Sequence, residues 1–397
     1  MFEGYGVGDP IIYWVLKIIL LSVLIYSGWG ISYDNPSKFK KYAWLSIIIY
    51  SLIQGLRWLR GADYPHYYND LVTLFGKFDG GIGFIVTPDP EPLYKLWVTI
   101  FYYSGMPFWI AFIIYSAILI SPLLLILKKI PKAAIWALPL FFILTSSSEN
   151  LIRQYISESC LLFAYYFYLC EKRKKMIVSL ICVPLIHFSG TIFVILFLII
   201  AYIPNFIRKY FDNKYMLWIL LAFFIFSYFY FDLSYFSTIA DFLSKNINLN
   251  ESQGSAYIDN ADRWFSDEGS MATVLGKKAT TFSFINKASQ FITFISIIYF
   301  GYLTKKIDKR LNIAYWFSYF AIILKTIGGD IEMYARFYNW CVIFQPIVIG
   351  VFLNNFRTPT FFKYTIYCVF ALYFLYYSFF IMIFSTSMFG YGFIWDS

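Results

Sequence analysis

Apolar runs separated by short polar breaks recur along this chain, and their lengths predict membrane helices rather than a soluble core. Runs approaching a bilayer's thickness fall at about 11–29, 42–56, 107–127, 133–147, 154–170, 176–187, 189–203, 215–232, 284–303, 312–328, 337–353 and 361–384. The segment "LYKLWVTIFYY", 93–103, is too short to cross alone and carries Lys95, so it reads as a re-entrant or interfacial helix. The first run begins at Ile11 with no basic segment before it and reads as a retained span, not a cleaved signal peptide. The stretch 176–203 reads in two ways: as two short passes, the first kinked by Pro184, or as one long helix.

The basic residues choose between these. They cluster at Lys38, Lys40 and Lys41; at Lys128, Lys129 and Lys132; at 172–175; at Arg208, Lys209 and Lys214; at Lys305, Lys306, Lys309 and Arg310; and at Arg357 with Lys363. All fall on one side if 93–103 does not cross and 176–203 crosses twice, and the positive-inside rule makes that side the cytoplasm. The expectation is an all-α bundle of about twelve spans plus one re-entrant or interfacial helix, a single integral membrane domain over 1–397. The outer face then holds the loop 57–106, the segments 146–153 and 328–336, a tip near His187, and the long loop 233–283.

Composition agrees. The chain is 60% hydrophobic and 14% charged with mean hydropathy +0.62, whereas soluble domains carry about a quarter charged residues. The net charge of +9 reads as helix-flanking Lys and Arg, not as a nucleic-acid surface. The five cysteines lie in apolar runs without metal spacing and read as buried thiols. The cytoplasmic connections are too short for a nucleotide-binding domain and no P-loop motif occurs, which argues against an ATP-driven pump.

Polar chemistry collects on the expected outer face. "GLRWLRGADYPHYYND" places Arg57, Arg60, Asp63, Tyr64 and Tyr68 at the lip of the second span. In "SSSENLIRQYISE", Asn150, Arg153, Gln154, Ser157 and Glu158 share a helical stripe that must face a partner, water or ligand. The plainer alternative is a structural pair of Arg153 with Glu149 or Glu158. His187 follows an apolar run at an expected outward turn, and it reads equally as a proton acceptor or a packed core residue. "KTIGGDIEMYARFYNW" offers Asp330 and Glu332 as carboxylates and Arg336 as an anion clamp, or a solvated turn joining two helices. Arginines outside the positive-inside pattern suit a diphosphate, which their planar fork grips with two hydrogen bonds.

Three spaced features, "RWLRGADYPHY" with "EPLYKLW" (Glu91–Trp97), "NLIRQ" (150–154) and "HFS" (187–189), resemble the EpsG family of exopolysaccharide and O-antigen polymerases, the Wzy-like enzymes. A less specific "EMYARFY" ends at Tyr338, and Ala62 stands where the family often has a small polar residue. The resemblance implies a GT-C-like helical architecture in the bacterial cytoplasmic membrane. It implies a glycosyltransferase moving a growing glycan from undecaprenyl diphosphate to the non-reducing end of an incoming lipid-linked repeat unit on the outer face of that membrane, toward the periplasm or cell exterior. On that reading His187 and Asp63 lead as base, with Glu91, Glu158 and Glu332 behind them, while Arg57, Arg60, Tyr64, Tyr68, Glu91, Asn150, Arg153, Gln154, Arg336 and Tyr338 bind substrate. No metal or other cofactor is expected, because arginines can hold the leaving diphosphate. The expected partners are undecaprenyl-diphosphate-linked oligosaccharide, the bilayer and a chain-length regulator, with no nucleic acid. The rivals are a flippase or exporter of the lipid-linked oligosaccharide, and a ligase using another acceptor.

Overall fold

In a computed structural model, the protein is described over residues 8–34, 36–58, 63–73, 91–230, 280–328, 332–355, 358–384 and 392–393. Arg60, Asp330, most of the loop 57–106 between 74 and 90, and nearly all of the loop 233–283 lie outside the described residues. The described chain is almost wholly helical; its one strand pairing sets Arg57–Trp58 antiparallel to Gly392–Phe393. Two compact units divide it: residues 1–202 with 349–359 and 370–397, and residues 203–348 with 360–369.

The first unit begins with α1 (Gly8–Tyr33) and α2 (Phe39–Gly55), then the short α3 (Tyr64–Val72) and α4 (Pro92–Ser104). After these come α5 (Phe108–Leu127), α6 (Ala134–Leu144), α7 (Ile152–Leu169), α8 (Arg173–Ile186) and α9 (Thr191–Tyr202). Apart from α3, which lies within the expected outer loop 57–106, these helices fall where the apolar runs predict them. The segment 93–103 is α4: Pro92 opens it with a preset φ, and Gly105 closes it at φ 63°, a left-handed position that suits glycine. The stretch 176–203 is two helices, broken at His187–Gly190.

α7 packs along α8, α5 lies between α2 and α7, and α1 covers α2 and α6. Apolar faces drive this packing: Leu119, Ile120, Leu123 and Leu124 of α5 and Leu161, Leu162 and Tyr165 of α7 are buried. Small residues permit close approach. A Cβ at Gly55 would meet the backbone of Ile113, and one at Gly28 would meet the Ala134 carbonyl. By contrast Ile192, Ile195 and Ile199 line one exposed stripe of α9, as a lipid-facing surface requires. Cys341 is buried, whereas Cys368 is exposed, so not every thiol is enclosed as the apolar runs suggested.

α7 and α8 form a tight helical hairpin. Glu171 turns it with φ 57°, its N–H bonding to the Tyr168 carbonyl while the Lys172 N–H reaches Phe167. This is a Schellman cap with glutamate in the position that glycine usually fills. The hairpin sends its two chemistries to opposite ends, with the basic run 172–175 at the turn and Arg153 and His187 at the other end.

The second unit contains α10 (Asn205–Phe211), α11 (Lys214–Tyr230), α12 (Thr280–Ser296), a π-helical turn at Ile297–Gly301, α13 (Tyr302–Ile307) and α14 (Asn312–Gly328). α15 (Glu332–Val342) completes it, while α16 (Gln345–Leu353) and α17 (Thr360–Phe384) are divided between the units. Lys305 is buried here with its ammonium 3.0 Å from Asp212 and within 5.3 Å of the Tyr302, Tyr315 and Trp316 ring centres. The pair ties α13 to the turn before α11, and the rings offset part of its desolvation.

Among the described residues, two helices are long and apolar enough to cross a membrane, Ile12–Tyr33 and Phe108–Leu127, with the bent pair Ala335–Val342 and Gln345–Leu353 as a third. α5 has 20 residues, about 30 Å at 1.5 Å per residue, which matches a bilayer's hydrocarbon thickness. α8 and α9 have 14 and 12 residues and are shorter than that.

Candidate functional site

In the first unit the N-termini of α4 and α7 and the C-terminus of α8 meet, and each brings one functional side chain. Glu91 is the residue before α4, Arg153 lies in the first turn of α7, and His187 ends α8 in an extended conformation. Local rules place each. Pro92 starts α4 immediately after Glu91, and the His187 N–H still bonds to Val183, so the ring leaves the helix at a defined height. Ser157 of α7 donates to that same Val183 carbonyl at 2.6 Å, locking the hairpin one turn below His187.

Glu91 is the hub. Its Oε2 lies 2.7 Å from Arg153 Nη1, and its Oε1 lies 2.6 Å from His187 Nδ1 and accepts the Phe188 backbone N–H at 3.2 Å. Burial alone would push the Glu91 carboxyl up; the hydrogen bond from His187, the Arg153 charge and the Phe188 N–H outweigh it, so the group is held below the usual carboxylate range. In a neutral imidazole facing ionised Glu91 at Nδ1, that nitrogen would carry the proton and Nε2 the lone pair. Arg153 lies over the Tyr94 ring, 5.2 Å from its centre, and Tyr94 donates its hydroxyl to Asp70 Oδ2 at 3.1 Å. Burial raises the Asp70 carboxyl above its ordinary value despite that hydrogen bond and the nearby Arg153 and His66. The Arg153 side chain is 37% exposed while Glu91 is 9% exposed, so the cation reaches solvent and its counter-ion does not.

The other expected residues divide into neighbours and tethers. Asn150 sits in the turn before α7 rather than on its stripe; its Oδ1 accepts the Asp63 N–H at 2.9 Å and its amide donates to Asp63 Oδ2 at 3.4 Å. Gln154 donates to Glu158 at 2.8 Å, both buried in α7. Arg57 is buried away from Glu91's hydrogen bonds: it donates to the carbonyls of Gln54 and Glu149 and lies over the Tyr64 and Phe112 rings. Tyr64 is buried and donates to the Arg57 carbonyl, and Tyr68 is half-buried against Trp58 and Phe108. Arg57 also lines a small cavity with Tyr50, Gln54, Ser116 and Ser148. Arg336 and Tyr338 are half-buried in the second unit, where Glu332 opens α15.

The structural pairing weighed for Arg153 takes a different form. Its partner is Glu91, whereas Glu149 is paired with Lys17 of α1 and Glu158 with Gln154. Lys17 and Asp70 escaped notice in the sequence. The signal for Lys17 was available: a lysine in the apolar middle of a 26-residue helix needs a carboxylate. For Asp70 there was little beyond its place at the end of a tyrosine-rich segment. Among the described residues no group of three or more His, Cys, Asp or Glu side chains is placed to hold a metal ion.

Apolar helices and a charged cluster where three helix ends meet define a helical membrane protein with a polar site in its first unit. The EpsG family model matches residues 40–393, nearly the whole chain, and the chain belongs to the EpsG family. It is thereby a membrane protein of the polysaccharide-polymerase type. No curated protein and no solved structure matches it.

Proposed function

We propose that this protein is a polysaccharide polymerase that transfers a growing glycan from undecaprenyl diphosphate to the non-reducing end of an incoming lipid-linked repeat unit. The observation that carries the reading is the Arg153–Glu91–His187 constellation, which joins an oriented imidazole to a half-exposed arginine. The acceptor hydroxyl oxygen attacks the anomeric carbon of the donor glycan. Its proton goes to His187 Nε2, the bond from the anomeric carbon to the diphosphate oxygen breaks, and the lipid diphosphate leaves as an anion. Glu91 orients the imidazole and stabilises the imidazolium, while Arg153 receives the diphosphate charge. No metal is needed in this scheme, because the leaving group is already a stable anion. Asp63, held by Asn150, is the second candidate base, with Glu158 and Glu332 behind it.

The reaction is assigned to the outer face of the bacterial cytoplasmic membrane, in a bundle of about twelve spans with GT-C-like architecture. In support, the site lies at the end of the α7–α8 hairpin opposite its basic turn. Arg336 and Tyr338 are assigned to substrate in the second unit, and a chain-length regulator is the expected protein partner. The test is the surface glycan of cells lacking the gene and complemented with variants. His187→Ala should leave one repeat unit where the wild type makes a ladder. Loss of all surface glycan, with lipid-linked units retained on the cytoplasmic face, would show a flippase and overturn the reading.

A further inference from the structure

The resting cluster has a property that an anion clamp should not have: its arginine is already neutralised. Arg153 Nη1 lies 2.7 Å from a carboxylate that is itself buried, so little of the cation's field is left for a diphosphate. The other oxygen of that carboxylate faces the imidazole at 2.6 Å. Glu91 is therefore the common counter-ion of one permanent cation and one conditional cation.

We propose that Glu91 is a charge switch, which frees Arg153 for the leaving diphosphate at the moment His187 takes the proton from the acceptor hydroxyl. The inference rests on the polymerase reading and names how its two halves are coupled. Before the reaction, Glu91 and Arg153 cancel and His187 is neutral. The acceptor O–H bond breaks and the proton binds His187 Nε2, so the Nδ1–H···Oε1 contact becomes an ion pair. One carboxylate then serves two cations, and the cluster gains one positive charge as the breaking bond leaves its electron pair on the diphosphate oxygen. The base and the anion site act in one step because a single side chain joins them.

The surroundings permit this. Arg153 of α7 faces the pair; Tyr94 of α4 and Tyr67 and Asp70 of α3 face Arg153 in turn, with His66 beside Asp70, and the Phe188 N–H holds Oε1 in place while its partner's charge changes. Arg153 Nε is buried without a hydrogen-bond partner, so the guanidinium is not held at every nitrogen and can pivot toward a ligand. Asp70 is anchored by the Tyr94 hydroxyl, which limits its competition for Arg153.

The test is unusual because it expects a lost carboxylate to strengthen binding. Purified full-length protein in phosphatidylcholine nanodiscs is titrated with farnesyl diphosphate, with farnesol as the uncharged control. At pH 7.5 Glu91→Gln should bind the diphosphate about tenfold or more tighter than wild type, while losing turnover. The gain should vanish in the Glu91→Gln/Arg153→Ala double variant. Equal or weaker binding in Glu91→Gln overturns the switch while leaving the polymerase reading to the glycan-ladder test. Wild-type affinity in Arg153→Ala removes the arginine from anion binding and overturns both the clamp and the switch. Should Glu91→Gln fail to give monodisperse protein, pH decides. Wild-type affinity, divided by that of His187→Ala to cancel the probe's own protonation, should rise as the medium is acidified, and a flat ratio overturns the proposal.

Discussion

Two of the cation–carboxylate pairs described in the first unit are built from similar residues and serve opposite ends. Lys17 and Glu149 are both enclosed, at 4% and 8% exposure, and the nearby Arg57 spends its hydrogen bonds on the carbonyls of Gln54 and Glu149. Arg153 and Glu91 differ in two respects: the cation is half-exposed, and the carboxylate shares its second oxygen with a titratable imidazole. A fully enclosed pair can only hold helices together, since removing either partner strands a charge in a low-dielectric interior. A pair with one exposed cation and one proton-accepting neighbour can change its charge and meet a ligand.

The largest expected effect tests the reactive pair. His187→Ala should lower polymerisation of purified lipid-linked repeat units by about 10²–10⁴, the usual loss on removing a general base, with unchanged membrane yield. Wild-type turnover should fall as the medium is acidified, because a protonated imidazole cannot accept the hydroxyl proton. Near-normal product length in His187→Ala would make His187 a packing residue and move the base to Asp63.

The enclosed pair is tested by stability instead. Lys17→Met should cost about 3–5 kcal/mol by leaving the buried Glu149 carboxylate without its lysine. It should appear as a lower unfolding midpoint in detergent, whereas Lys17→Met with Glu149→Gln should recover most of the loss. Arg153→Ala should barely move that midpoint and should abolish long-chain product; the reverse pattern would dissolve the contrast between the pairs. Arg153→Lys should lose at least about tenfold in rate, since a point charge cannot hold carboxylate and diphosphate with one planar fork.

Two smaller effects sharpen the comparison. Because the Glu91 carboxyl is held below its ordinary range, its contribution to stability is present in full above the unfolded-state value and is lost as pH falls through the lower folded value. Glu91→Gln should therefore flatten the acid limb of a stability–pH curve, which a differential scan from neutral to acid would show. Glu171→Gly should stabilise the hairpin by about 0.5–1 kcal/mol, because glycine adopts the left-handed turn without a Cβ clash. No gain there would mean that the glutamate side chain contributes to the turn.

Helix positions were legible in the residues themselves. The runs at 107–127 and 154–170 became Phe108–Leu127 and Ile152–Leu169, and the short run after Glu91 became a helix bounded by Pro92 and Gly105. Hydropathy, proline and glycine act within a few residues, so a linear reading captures them. The break at His187 and the isolation of Arg153 from the basic clusters were legible for the same reason. The partners were not. Arg153 stood between Glu149 and Glu158, both within a helical turn or two, yet it pairs with Glu91 from another helix, while Glu149 turns to Lys17, 132 residues away. Those choices depend on how α1, α4, α7 and α8 pack, because an ion pair is set by which helix ends arrive together and how dry the meeting place is. Residue types and helix limits follow from the chain order; which charge answers which, and therefore which arginine remains open to a ligand, was decided only when the helices closed around them.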